Sequence, residues 1–214
     1  MFAPLSPWPA ARRRHSGALR GLVRASALLL AACFLAGCAT TLSAQVTRFE
    51  KWPANAVGAS YRLVRAPGQT DSLEYQTFAD TVRAAVGPTG LVQAKPGESP
   101  RFDLSFTYGV KQGVEWVTRY ADTMPYYGPW GPYWGGPFGP PMVNVPVTVF
   151  SNTLTVTIND NHQHGAEVYR SSAVTNTSGN NLMAVMPYLA RAVFDQFPGN
   201  NGQVRVVRYK LGER

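Results

Sequence analysis

The sequence is poor in cysteine and histidine. Among 214 residues the only cysteines are Cys33 and Cys38, and the only histidines are His15, His162 and His164. That supply excludes a disulfide framework and leaves too few soft ligands for a closed four-ligand zinc site. No apolar run reaches the roughly 20 residues that carry a helix across a bilayer. A P-loop, a dinucleotide glycine fingerprint and a G-x-S-x-G elbow are all missing. No two carboxylates stand in a recognisable glycosidase arrangement. The expectation is a chain with no assignable catalytic residue, no cofactor and no metal: a non-enzymatic protein, with an unrecognised hydrolase as a distant option.

What is present begins with Leu35-Ala36-Gly37-Cys38. This is a lipobox, preceded by a basic region (Arg12, Arg13, Arg14, Arg20, Arg24) and the uncharged apolar run Ala25 to Phe34. Basic, then apolar, then small residues before a cut is the order of a secretory leader. The expected cleavage falls between Gly37 and Cys38, making residues 1–37 a signal peptide. Leu30-Ala31-Ala32-Cys33 also fits, but a cut there leaves an apolar region shorter than the usual span of about 7–15 residues. Lipidation is therefore expected on Cys38, as a diacylglyceryl thioether with a further chain such as palmitate on the new amino terminus. Two or more chains give stable membrane residence. Ala39, rather than the Asp that commonly retains lipoproteins at an inner membrane, points to the outer membrane and its periplasmic face.

Removing residues 1–37 leaves 177 residues, enough for one domain around one core. Five arginines leave with the leader, so the net charge falls from +8 to +3. The basic character belongs largely to the leader, and no nucleic-acid partner is expected.

Residues 38–45 read as a tether, followed by a single domain over 46–214. Strands are expected at Val46–Lys51 and Ser60–Val64. Asp71 and Glu74 resemble a capping box, and Tyr75, Phe78, Val82 and Val86 then recur at helical spacing up to Gly87-Pro88, predicting a helix over 72–86. Phe102, Leu104, Phe106, Tyr108 and Val110 alternate with polar residues, as a half-buried strand does, and Gly113 suggests a bulge before a continuation through Trp116 and Thr118. A strand over 147–158 and its hairpin partner Glu167–Thr175 flank the polar turn Asn159–Gly165. Leu182, Met186, Leu189, Val193 and Phe197 trace a second helix, in which Pro187 predicts a late start or a kink. A last strand, Gln203–Leu211, changes parity between Val206 and Val207, suggesting another bulge. These elements predict an α+β fold: a mostly antiparallel sheet of about six strands with two helices packed on one face, a two-layer sandwich.

Between the third and fourth strands the sequence Tyr126 to Pro141 reads YYGPWGPYWGGPFGPP. Glycine and proline break any helix or strand period, so residues 120–146 are expected as a loop. It carries Tyr126, Tyr127, Trp130, Tyr133, Trp134 and Phe138 without one charge. One reading folds these rings back on the sheet or leaves them in a low-complexity insertion. The other makes them a contact surface for an envelope protein, peptidoglycan or lipopolysaccharide.

Two weaker candidates complete the search. Asp160, His162 and His164 could ligate a metal, but they sit in a predicted turn where such residues are common, and no site is assigned. Arg205, Arg208 and Lys210 form a basic edge on the last strand, read as a solvated face.

With the elements placed, the chain resembles a family of Gram-negative lipoproteins carrying the domain of unknown function numbered 4136. The resemblance rests on the lipobox at Cys38, the opening Val46-Thr47-Arg48-Phe49-Glu50, the alternating strand from Phe102 and the aromatic insertion at 126–141. It also rests on the strand–turn–strand Leu154 to Tyr169, with Asp160 and Gly165 in its turn, and on Val193-Phe194-Asp195-Gln196-Phe197-Pro198. It implies an α+β lipoprotein domain of undetermined biochemical role and transfers no catalytic residue. The expected function is that of a lipid-anchored envelope protein with a structural or interaction role. A glycan- or lipid-binding module is the alternative.

Overall fold

The computed structural model of the chain describes residues 41–121, 127–128, 131–132 and 142–211, residues 127–128 and 131–132 in backbone only. The chain divides at Thr40, and the first unit, with Gly37 and Cys38, lies outside the described residues. The second unit runs β1 (Thr41–Glu50), β2 (Ser60–Leu63), α1 (Leu73–Val86), β3 (Val92–Gln93), β4 (Phe102–Tyr120), β5 (Tyr127–Gly128), β6 (Gly131–Pro132), β7 (Met142–Asp160), β8 (Ala166–Thr177), α2 (Leu182–Val193) and β9 (Gln203–Lys210).

Seven strands form one open sheet in the order β3-β2-β4-β7-β8-β1-β9, and β5 and β6 form a separate two-stranded pair. Pairing is antiparallel except that β2 lies parallel to both β3 and β4. The α+β class is as expected, with seven strands in place of six. The additional strand is the two-residue β3, too short for any periodicity to reveal. Both helices are crossovers: α1 follows β2 and precedes the strands parallel to it, while α2 links β8 to β9 with β1 lying between them.

Alternation along the strands decides which face meets the helices. Phe102, Leu104 and Phe106 on β4, Leu154, Val156 and Ile158 on β7, and Leu42, Ala44 and Val46 on β1 are all buried. Against them pack Tyr75, Phe78, Val82 and Val86 of α1 and Val185, Met186, Leu189 and Val193 of α2. Tyr75 stacks on Phe106 at 4.9 Å between ring centroids, which fixes α1 over β4. Burying each large apolar side chain contributes about 1.5–3 kcal/mol, so this one cluster dominates the stability of the unit.

Several local expectations are corrected. β1 begins at Thr41, so residues 41–45 are strand and not tether; Leu42 and Ala44 enter the core and the stretch pairs with β9. The helix cap is Ser72, whose Oγ accepts from the Tyr75 amide at 3.1 Å. Asp71 instead accepts from the Gln76 side chain at 3.2 Å. β4 and β7 pair without interruption from Phe102–Asp160 to Tyr120–Met142, so Gly113 makes no bulge and the expected 120–146 loop contracts to the stretch between those strands. β9 likewise keeps one register against β1 from Gln203 to Lys210. Its change of parity means only that Val204 and Val206 lie on the exposed face. A bulge does occur in the β7–β8 hairpin, beside Ile158 and Asn159, and there Val168 and Tyr169 are both buried in succession. α2 continues through Pro187 from an Asn181 cap, so the helix does not start late.

Candidate functional site

Two constellations stand out. One is a clamp at the C-terminal end of α2. The last carbonyls of any helix lack intrahelical donors and need partners from elsewhere. Here they come from the sheet. The Tyr169 hydroxyl donates to the Val193 carbonyl. Arg48 Nη2 donates to the Asp195 carbonyl at 2.7 Å and more weakly to the Val193 carbonyl at 3.5 Å. A cation at a helix C-terminus is also favoured by the helix dipole. Arg48 is only 2% exposed, in the β1 row that otherwise holds Leu42, Ala44 and Val46. Its Cζ lies 5.7 Å from the centre of the Tyr169 ring. Around it pack Trp52 on Phe102 at 4.8 Å, Trp52 on Phe197 at 4.6 Å and Tyr169 on Phe197 at 4.9 Å. Burial pushes the Tyr169 hydroxyl above its ordinary value, opposed by the nearby Arg48 charge. The phenol thus stays protonated and donates. This clamp joins the segments Val46–Glu50 and Val193–Pro198, which sequence reading singled out separately. Its geometry is that of a cap rather than of a reaction centre.

At the β7–β8 turn, Asp160 is fully buried and its carboxylate is occupied. Arg101 Nη2 donates to it at 3.1 Å, the His162 amide at 2.9 Å and Gln163 Nε2 at 3.1 Å. Burial alone would raise this carboxyl, but those hydrogen bonds outweigh it and hold the group below its ordinary value. The rings of His162 and His164 stay on the exposed side of the turn. Among the described residues no group of three histidine, cysteine, aspartate or glutamate side chains could hold a metal ion.

The other constellation is an arm. β2 stops opposite Leu104 and β8 stops opposite Phe150, yet β4 and β7 continue as a pair. Gly113–Tyr120 with Met142–Val149 therefore form a two-stranded ribbon, open along both edges among the described residues and roughly 27 Å long at about 3.4 Å per residue. One face carries Val114, Trp116, Tyr120 and Met142, which are 60%, 69%, 60% and 64% exposed. The other carries Val117, Val143, Val145, Val147 and Val149. Its charges, Glu115 and Arg119, both belong to β4, with Lys111 on the same face just before the ribbon, and none of the three is ion-paired among the described residues. Thr118 Oγ1 bonds Asn144 Oδ1 at 2.6 Å across the ribbon, and Asn176 donates to Glu115 at 3.2 Å from its base.

Of the predicted contact loop, Tyr126, Trp130, Tyr133, Trp134 and Phe138 lie outside the described residues, and Tyr127 is described in backbone only, paired with Pro132. In the sequence all of them fall between Tyr120 and Met142. Sequence reading carried β4 through Trp116 and Thr118 but left 142–146 of β7 in the loop, although the row Val143, Val145, Val147, Val149 was a visible signal. The expected basic edge is divided: Arg205 turns to the helix side, bonding Gln196 and pairing with Asp195 at 3.2 Å, while Arg208 and Lys210 occupy the opposite face. A cavity of about 620 Å³ lies between the ends of the two helices and β9, lined by Ala85, Pro88, Pro187, Arg191, Phe197 and Tyr209. Arg191 stands 5.2 Å over the Tyr209 ring. No helix among the described residues is long and apolar enough to cross a membrane.

The family described as Domain of unknown function (DUF4136) matches residues 45–199, a span that opens and closes on the Arg48 clamp. No curated protein matches the chain. Among solved structures, the chain is similar to a PDZ domain protein from Parabacteroides distasonis, at 12% identity and a TM-score of 0.45. That likeness covers 84% of this chain but only 42% of the other, so the chain spans less than half that protein's length. It is also similar to PelC from Paraburkholderia phytofirmans, a dodecamer, at 17% identity and a TM-score of 0.38, over 73% of this chain and 99% of PelC.

Proposed function

The chain belongs to the family described as Domain of unknown function (DUF4136), and for this member we propose a non-enzymatic interaction role in the cell envelope. It is held by lipid on Cys38 at the periplasmic face of the outer membrane and works through the β4–β7 arm. The observation that supports the reading is the arm. A two-stranded ribbon alone in water is marginal, and exposed apolar area of this kind marks a contact surface. The core does not use it, and the charge-free aromatic sequence at 126–141 continues its character.

Two measurements test the halves of the proposal separately. Cys38→Ser removes the thiol that would carry the lipid, so the variant should leave the membrane fraction on carbonate washing; retention there overturns the anchor. Trp116→Ala with Tyr120→Ala should leave the thermal melt unchanged and lower recovery of envelope components from crosslinked cells. Unchanged recovery overturns the arm as the working surface.

A glycan- or lipid-binding module is the second reading. It is favoured by Trp116 and Tyr120, four residues apart on one exposed face, where rings suit stacking on sugars. Titration with muropeptides or lipopolysaccharide should then shift tryptophan fluorescence in the parent and not in Trp116→Ala.

A further inference from the structure

The β4 edge of the arm carries a charge pattern complementary to itself. Lys111, Glu115 and Arg119 stand four residues apart, on one face, in the order plus, minus, plus. Edge strands are commonly guarded by proline or by charged side chains, especially Lys; the charges of β4 alternate in sign, so a strand of the matching order neutralises Glu115 and Arg119 instead of repelling them. β4 has no proline from Phe102 to Tyr120, whereas β7 is blunted by Pro146, which has no N–H to offer. The main-chain groups of β4 beyond Leu104, unpaired on that side among the described residues, are therefore the edge best suited to accept another strand.

Resting on the reading of the arm as the working surface, we propose that its partner is a second copy of this chain, added antiparallel at the β4 edge about a two-fold axis at Val117. That register confines pairing to Gly113–Ala121, the part of β4 outside the body of the domain. It sets Glu115 opposite Arg119 of the second copy and Arg119 opposite its Glu115. Val117 meets Val117, Val114 meets Tyr120, and Trp116 meets Thr118. β-Branched and aromatic cross-strand pairs and opposite charges are the favourable combinations in an antiparallel ladder. Two marginal ribbons become one four-stranded sheet in the order β7-β4-β4-β7, above the three strands needed for independent stability. A bilayer suits this edge less well, because hydrocarbon leaves open strand edges unsatisfied and would have to accommodate three charges.

The test is charge exchange in the full-length chain, expressed in cells as two copies with different C-terminal tags. Wild-type copies should be recovered together in detergent. Glu115→Arg in both copies, or Arg119→Glu in both, should lower that recovery at least tenfold, because each single change places like charges opposite one another. A copy with Glu115→Arg beside a copy with Arg119→Glu should restore it, since both cross-strand pairs are then complementary again. Thermal melts unchanged from the parent exclude misfolding. Recovery insensitive to the single changes, or not restored in the mixed pair, overturns the proposal. If copies are never recovered together while Trp116→Ala with Tyr120→Ala still lowers recovery of envelope components, self-pairing falls and the arm reading stands. Loss of binding to phosphatidylethanolamine–phosphatidylglycerol vesicles in that same variant, without co-recovery, assigns the edge to lipid instead and overturns it equally.

Discussion

Gly199 lies against the guanidinium of Arg48 so closely that a Cβ built there falls 2.0 Å from Nη1 and 3.1 Å from Cζ. Ordinarily the far end of an arginine yields to such a contact. Here it is buried and tied to the carbonyls ending α2, so it has nowhere to go. Gly199 also has φ +76, a conformation that costs other residues about 1 kcal/mol or more.

Gly199→Ala is therefore expected to destabilise the domain by about 2 kcal/mol or more, from overpacking together with backbone strain. Arg48→Met removes the clashing nitrogen, so the same glycine substitution in that background should cost measurably less. Chemical denaturation of the four proteins gives the coupling directly. Additive effects would mean that the two residues do not press on each other.

The Asp160 carboxyl sits below its ordinary value of 3.8, so its contribution to stability is present above the unfolded-state value and is lost as pH falls through the lower, folded one. The domain should thus lose stability in acid below about pH 4. Asp160→Asn should be less stable at neutral pH, because Arg101 then has no charged partner, and its stability should fall less steeply below that pH. Denaturation midpoints collected from pH 2 to 7 test the slope; parallel curves for the two proteins would refute the linkage.

The exposed histidines of the same turn should be dispensable. His162→Ala is expected to melt within about 1 kcal/mol of the parent, as surface substitutions do. His164 has φ +56 and caps the turn in a left-handed conformation, so His164→Gly is the substitution that keeps the backbone. One tightly held metal per chain in elemental analysis, lost in these variants, would contradict the solvated-turn reading.

Periodicity made both helices legible, because Tyr75, Phe78, Val82 and Val86, and Leu182, Met186, Leu189 and Val193, each form one apolar stripe. It failed where burial is set by a distant element. Arg48 shares the inward row of Val46, and only the arrival of α2 above it explains a buried cation there. Phe49 beside it is 54% exposed, the reverse of what hydropathy alone suggests. The β7 half of the arm, and its pairing with the expected continuation of β4, were hidden for a related reason. Beyond Val110 both faces of β4 and β7 carry apolar residues, so the inside–outside contrast that defines a half-buried strand disappears, and Pro146 reads as loop. The valines Val204 and Val206 produced a false bulge because an exposed face of an edge strand need not be polar.

The last prediction separates the arm from the sequence at its end. Every buried core residue among those described falls within 42–106 or 154–194, so the core is closed without residues 121–141. Replacing 121–141 by Asn-Gly joins Tyr120 to Met142 through the two-residue turn that best matches strand twist. Shortening a connection of that length changes closure entropy by only about 0.6 kcal/mol per halving. The variant should therefore melt close to the parent and keep the β4–β7 pairing, while recovery of envelope components falls if Trp130 and Trp134 belong to the contact surface. A drop of several kcal/mol in stability would show instead that the six rings cap the sheet, and would remove 126–141 from the interaction surface. Unchanged stability with unchanged recovery would confine the surface to the ribbon, where Trp116 and Tyr120 would have to account for it alone.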